Sequence, residues 1–246
     1  MYIDINCDMG ESFGHFRIGR DEDIMPYITS CNIACGFHGG DPLTIENSLK
    51  LAKKFGLKVG AHPSYPDLAG FGRRPMQVPT NELRALIIYQ IAALKGMTES
   101  LGLKLHHVKP HGALYHAATE NEAIAKALLE AILAIDPQLA VYGPADIGWH
   151  QMAEAKGIRY VHEAFADRQY REDGSLISRN HPQALLHNPD QIAKRALKLL
   201  RQGTLTTLSG KEIKVTAQTL CIHGDHPQAP QIAKKLYESM QAYLPS

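Results

Sequence analysis

The stretch Ile3-Asp4-Ile5-Asn6-Cys7-Asp8 alternates apolar and polar side chains without a break. Side chains along a strand point to opposite faces in turn, so Ile3, Ile5 and Cys7 share one face and Asp4, Asn6 and Asp8 the other. If the apolar set meets covering helices, three polar side chains point the other way, into the interior of a barrel. Outward from this segment, short apolar or β-branched runs keep alternating with amphipathic stretches. Strands are expected at 2–7, 30–35, 58–61, 104–109, 139–142, 159–163 and 218–223. Helices are expected at 44–55, 81–101, 120–135, 147–156, 189–202 and 230–244. Strand–helix alternation from end to end implies a parallel sheet with right-handed crossovers. About seven such units with no break in composition favour one (βα) barrel over residues 1–246, with a doubly wound open sheet as the competing architecture.

The helix ends carry local signals. Thr119 with Glu122 reads as a capping box, and Asn188-Pro189 as an N-cap followed by proline at the first helical position. Gly56, Gly102, Gly157 and Gly203 each follow a helix, where a left-handed residue is wanted. Residues 204–208 and 212–216, joined through Ser209-Gly210-Lys211, read as a β-hairpin outside the repeating pattern.

Composition narrows the function classes. With 26 Lys and Arg against 25 Asp and Glu, the net charge of +1 carries no nucleic-acid footprint. No apolar run reaches the roughly 18–20 residues of a membrane span. Met1-Tyr2-Ile3-Asp4 lacks the basic start and apolar core of a signal peptide, so a soluble cytoplasmic protein is expected. Cys31 and Cys35 would stand about 13 Å apart along one strand, too far for a disulfide or a shared metal. All four cysteines read as small buried hydrophobes in a reducing compartment.

The ionisable residues gather at strand ends. His107, Lys109 and His111 share a face of the fourth strand. Glu163 ends the sixth, and Cys221, His223 and Asp225 share a face of the seventh. His38 and Asp41 follow the second strand and His62 ends the third. In a barrel these C-terminal ends form one mouth, where such folds place chemistry. Two long connections, 63–79 and 164–182, follow barrel strands and should overhang it, as lids or binding loops of this length do. They carry Arg73, Arg74, Arg168, Arg171 and Arg179, whose guanidinium groups suit a carboxylate or phosphate. Gly36-Phe37-His38-Gly39-Gly40-Asp41 lets backbone amides approach an anion. There is no GxxxxGK[ST] run and no GxGxxG fingerprint, which argues against an independent nucleotide-binding domain.

The same residues raise the question of a metal. His223-Gly224-Asp225-His226, Lys109-Pro110-His111 and Asp8 offer mixed ligands of the kind hydrolytic barrels use, but with no HExxH or CxxC spacing. His107 and His111 are too far apart along a strand to chelate one ion. Lys109 sets a positive charge beside the site. No resident metal is assigned on this reading.

The longer motifs resemble those of the LamB/YcsF family of bacterial 5-oxoprolinase A subunits. They are Asp4-Ile5-Asn6-Cys7-Asp8-Met9-Gly10-Glu11, then 32–41 (Asn-Ile-Ala-Cys-Gly-Phe-His-Gly-Gly-Asp), and Gly60-Ala61-His62-Pro63-Ser64-Tyr65-Pro66-Asp67 with Gly70-Phe71-Gly72-Arg73-Arg74. They continue through Val108-Lys109-Pro110-His111-Gly112-Ala113-Leu114-Tyr115, Glu163-Ala164-Phe165-Ala166-Asp167-Arg168 and Cys221-Ile222-His223-Gly224-Asp225. The match spans almost the whole chain in order. It implies a seven-stranded TIM-like α/β barrel similar to the glycoside hydrolase/deacetylase superfamily. It also implies ATP-dependent opening of 5-oxo-L-proline to L-glutamate together with partner subunits B and C, with ATP as co-substrate and magnesium allowed for alongside it.

Such a reaction calls for phosphorylation of the lactam oxygen, attack of water on the activated carbon and loss of phosphate. It therefore needs a cationic cradle and a general base. Strand-end placement nominates Asp8 or Glu163 as base and Lys109 as the group that stabilises negative charge. His62, His111 and His223 would orient substrate or relay protons. Asn6, His38, Arg73, Arg168 and Asp225 are expected at the substrate. The competing readings are a metal-dependent amide or carbohydrate deacetylase and a non-enzymatic module that binds a small acid.

Overall fold

The computed structural model describes residues 2–145 and 149–244. In chain order, β1 (Asp4–Met9), the short α1 (Asp21–Ile24), β2 (Ser30–Ala34), α2 (Pro42–Phe55), β3 (Lys58–His62) and α3 (Thr80–Ser100) make the first half. Then come β4 (Leu105–Val108), α4 (Gly112–Glu120), α5 (Glu122–Ile135), β5 (Ala140–Pro144), α6 (His150–Ala155) and β6 (Tyr160–Phe165). The chain ends with α7 (Pro189–Gln202), β7 (Thr204–Thr206), β8 (Glu212–Lys214), β9 (Thr219–Ile222) and α8 (Ala229–Met240).

Seven strands form a closed parallel barrel in the order β1-β2-β3-β4-β5-β6-β9. Closure comes from β9, which pairs with β1 through Asn6 opposite Cys221 and with β6 through Phe165 opposite Cys221. The open doubly wound alternative is thereby excluded. β7 and β8 form the expected antiparallel hairpin outside the barrel.

Strand parity does what the sequence requires. Ile3, Ile5, Cys7 and Met9 are at most 1% exposed and belong to the apolar layer between barrel and helices. Asp4, Asn6 and Asp8 turn into the lumen and bond there to Ser30, Glu163 and Asn32 of other strands. α7 buries Ile192, Ala193, Ala196 and Leu199 on a single stripe and packs against α8. Each large aliphatic buried this way contributes about 1.5–3 kcal/mol. No helix among the described residues is long and apolar enough to cross a membrane. The register of β3 against β4 slips between Val59 and Gly60, setting Gly60 opposite His107. A Cβ at Gly60 would collide with the His107 ring, so glycine makes room for the imidazole to lie across the lumen.

Several local readings need correction. Thr119 caps nothing: it lies inside α4 with its hydroxyl on the Tyr115 carbonyl, and Asn121 accepts from the amides of Ala123 and Ile124 at the start of α5. The turn at Asn121 thus splits the expected stretch into two helices. α2 begins earlier, with Asp41 capping Leu43 and Thr44, so Asp41 is structural. The last helix stops at Met240 and continues as a single tight turn, Gln241–Tyr243. The expected helix start at Ile147 lies outside the described residues. Asn188 and the left-handed glycines at 56, 102, 157 and 203 stand as read.

Candidate active site

Lys109 forms the floor of the mouth. It follows β4, is 2% exposed, and its Nζ lies 3.0 Å from Asp8 Oδ1, 3.0 Å from Glu163 Oε1 and 3.2 Å from Asn6 Oδ1. The Cys221 sulfur, 2.9 Å from Nζ, corrects the reading of that cysteine as a bland hydrophobe: its strand parity turns it into the lumen, where sulfur accepts from the ammonium. Burial alone would lower the pKa of Lys109, but Asp8, Cys221 and Glu163 reverse this and hold it well above the ordinary lysine value. Burial likewise acts to raise Asp8, yet His62 and Lys109 hold that carboxyl well below its usual range. The pair is therefore ionised. Asn6 donates to Glu163 Oε1 and Thr219 Oγ1 and accepts from Asn32, bracing the floor from below. Glu163 Oε2 is buried with no hydrogen-bond partner.

One wall is made of histidines. His62 Nδ1 is 2.7 Å from the Lys109 carbonyl and His111 Nε2 is 2.8 Å from the Phe71 carbonyl. The His38 ring stacks on His111 at 3.7 Å, and its Nε2 lies 3.2 Å from Glu11 Oε1. Burial, then neighbouring imidazoles, hold His38 and His111 well below the usual histidine value. Glu11 is displaced upward by burial, then by Asp8 and Asp225. Phe71, whose carbonyl receives His111, takes a left-handed conformation at φ 55°. Non-glycine residues persist there at a cost of order 1–3 kcal/mol when their surroundings impose it.

The opposite wall holds a second arrangement. His223 Nδ1 lies 3.0 Å from both oxygens of Asp167, which also accepts from the His223 amide. With Nδ1–H donated to the carboxylate, Nε2 is left as a lone pair, and His223 lines the cavity. Burial acts to raise Asp167, but His223 overrides it and holds that carboxyl well below the ordinary range. Burial lowers His223 against the pull of Asp167, so it is neutral near pH 7.

These walls enclose a cavity of about 360 Å³. Of the expected site residues, Asp8, His62, Arg73, Lys109, His111, Arg168 and His223 line it, together with Arg171 and Arg179. Both long connections overhang it. Glu163 opens instead on an adjoining cavity of about 660 Å³ that shares Tyr115 and Phe165 with the first. Asn6 lies beneath the floor and His38 behind His111. Asp225 is engaged by Arg73 at 2.5 Å and Arg179 at 3.6 Å, and steadies the arginines from outside the cavity. Arg168 reaches the Ile177 carbonyl with Nη2, while its buried Nε has no partner. Burial, then Arg179, bring its pKa down to about 10.

Sequence reasoning missed Glu11 and Asp167 as site members, although both stand in the longer motifs. Each lies just past a strand end, where alternation stops predicting direction. The one available signal for Asp167 is that its strand, β6, neighbours β9, which delivers His223.

Comparison with known proteins places this geometry. The model of the LamB/YcsF family matches residues 3–244. The 5-oxoprolinase A subunit of Symbiobacterium thermophilum is 48% identical over 240 residues, covering 98% of this chain and 92% of that protein. The crystal structure of the lactam utilization protein from Thermus thermophilus superposes with a TM-score of 0.93 at 43% identity, covering 98% of this chain and 97% of that one. A family 4 carbohydrate esterase from Streptomyces lividans shares the fold at a TM-score of 0.50 and 10% identity, over 98% of this chain and 88% of the esterase.

Proposed function

Since the chain belongs to the LamB/YcsF family, we propose that it is the A subunit of an ATP-dependent 5-oxoprolinase, acting in the cytoplasm with subunits B and C to open 5-oxo-L-proline to L-glutamate. The observation that carries this reading is the pairing, in one cavity, of a buried ammonium and carboxylate floor with an arginine-lined rim. 5-Oxo-L-proline is small, carries one carboxylate, and reacts at an amide carbonyl about as unreactive as any. Its carboxylate suits the rim guanidinium groups, and its carbonyl suits the positive end of the floor.

In the route we favour, the lactam oxygen attacks the terminal phosphoryl group of ATP and ADP leaves. Nε2 of His223, oriented through Nδ1 by Asp167, takes a proton from water as the water oxygen bonds to the activated carbon. The adduct breaks its carbon–nitrogen bond, the nitrogen receiving that proton, and leaves γ-glutamyl phosphate. A second water releases phosphate and L-glutamate. Lys109 stabilises the negative charge on the adduct. Of the two carboxylates nominated as base, Asp8 is held ionised well below its usual range, which makes it a weak base, and its Oδ1 is taken by Lys109 and Asn32. Glu163 keeps one oxygen free but opens on the adjoining cavity. The His223–Asp167 pair therefore takes the base role.

Asp167→Asn and His223→Ala, reconstituted with subunits B and C, test this. ATP-coupled glutamate formation should fall by about 10²–10⁴-fold with the fold intact by circular dichroism. Near-normal turnover in both would remove the dyad from the reaction.

A further inference from the structure

The hydrogens of His62 and His111 at the mouth are already committed. His62 Nδ1 and His111 Nε2 each face a backbone carbonyl, at 2.7 and 2.8 Å. A carbonyl can only accept, so those nitrogens carry the hydrogens and the other nitrogen of each neutral ring is a bare lone pair. The two bare nitrogens, His62 Nε2 and His111 Nδ1, face each other 2.9 Å apart. Glu11 Oε1 lies 3.6 Å from His111 Nδ1, in a cluster of donors within 4.8 Å of one another that also holds His62 and His38, and Asp8 Oδ2 stands at its edge, 3.4 Å from His62 Nε2. The side chains of His62, His111, Asp8 and Glu11 are all buried. With both rings neutral and both acids ionised, the four are acceptors that repel one another, so the cluster is completed by protons or by a cation that displaces them.

We propose that His62 Nε2, His111 Nδ1, Asp8 Oδ2 and Glu11 Oε1 form a binding site for a divalent transition-metal cation of the zinc or manganese class. Nitrogen and oxygen donors set tetrahedrally around zinc at about 2.0–2.1 Å stand about 3.3 Å from one another. Three of the six donor separations, at 2.9, 3.4 and 3.6 Å, bracket that value. Two imidazoles with two carboxylates suit such cations better than calcium or copper(I). The outer contacts fit as well, since metal-binding histidines characteristically donate their second N–H to a carbonyl or carboxylate.

Lys109, which argued against a cation on the sequence alone, does not oppose one here. Its ammonium is matched by Glu163 at 3.0 Å and touches Asp8 through Oδ1, leaving Oδ2 for the metal. Asp8 and Glu11 together then balance a dication. Asp8, His62 and His111 line the cavity, so the bound ion would have a face open to substrate. The site rests on donor geometry and stands apart from the lactam reading, because binding and turnover are measured separately.

The test uses the purified full-length chain, stripped with chelator and titrated calorimetrically with ZnCl₂ and, separately, MnCl₂. Saturable binding of one equivalent is expected for at least one of the two metals. Glu11→Gln, nearly isosteric, and His62→Ala should each weaken it by about 100-fold or more, and His38→Ala by about 10–100-fold. His226→Ala, remote from the four donors, should bind as the wild type does. Melting curves of the metal-free variants report folding. Crystals soaked in ZnCl₂ should show anomalous density between His62 and His111, a readout independent of any variant. No saturable binding of either metal, unchanged affinity in folded Glu11→Gln, or density only elsewhere would overturn the proposal.

Discussion

The barrel lumen holds two polar layers that look alike in the sequence and differ in the structure. At its base, Asp4 is surrounded by hydroxyls. Oδ1 accepts from Thr29 at 2.7 Å, and Oδ2 from Ser30 at 2.5 Å, Thr219 at 2.6 Å and Tyr142 at 3.3 Å. Both oxygens have donors, and no charge among the described residues stands against them. Higher in the lumen, at the mouth, Asp8, Lys109, Glu163, His62 and His111 meet with charges in excess and acceptors left over. Buried polar groups are ordinarily satisfied, so burial of a polar residue by itself says nothing about function. Imbalance is the informative feature, because it marks where a ligand, ion or reacting group completes the set.

The contrast is broken most forcefully at Lys109. Lys109→Met removes the one ammonium between two buried carboxylates, and stability should fall by about 3–5 kcal/mol in urea titrations. ATP-coupled turnover in the reconstituted complex should fall about 10²–10³-fold. A smaller effect of the opposite kind is expected at the base. Ser30→Ala takes one of three donors from Asp4 Oδ2 and should cost about 1–3 kcal/mol, with turnover within twofold of wild type. If Ser30→Ala, still folded, impaired turnover as Lys109→Met does, base and mouth would be one functional unit and the contrast would fail.

Both layers were visible in the sequence as far as strand periodicity reaches. The two-residue repeat of β1 placed Asp4, Asn6 and Asp8 in the lumen, and the same parity placed His107 and Lys109 there, because a residue inside a strand has only two directions. It did not separate Asp4 from Asp8, since the difference lies in partners 24 to 215 residues away. Beyond strand ends the rule lapses. Glu11 and Asp167 turn toward the site through loop conformations, and Asp225 turns away to Arg73 and Arg179, with no periodicity to tell them apart. The split between α4 and α5 was hidden for a different reason: Thr119 and Asn121 are both competent caps, and only the packing of Tyr115, Leu114 and Ala118 into the core selects the second.

The smallest expected effect sharpens the link between the layers. Arg159 Nη2 lies 2.9 Å from His106 Nε2, His106 Nδ1 lies 3.1 Å from His107 Nδ1, and His107 Nε2 lies 2.7 Å from Asn32 Oδ1. Arginine can only donate and an amide oxygen can only accept, so the relay runs in one direction with both imidazoles neutral. Asn32 then donates to Asp8, joining the outer face of the barrel to the mouth. Burial, then Arg159 and Lys58, bring His106 down to about 4, and burial with His106 and Lys109 holds His107 well below the ordinary value. Unfolded histidine titrates near 6.5, so between about pH 6.5 and 4 the unfolded chain binds protons that the folded chain refuses. The stability linked to these groups is whole above about pH 6.5 and declines as pH falls through that window. Urea midpoints measured from pH 7.5 to 4.5 should show this decline. Arg159→Gln, which removes the neighbouring charge while keeping a donor, should flatten its slope without moving the midpoint at pH 7.5 by more than a few tenths of a molar. Equal slopes in the two proteins would mean that the relay does not govern the response, and that the acid sensitivity resides in the histidines of the mouth.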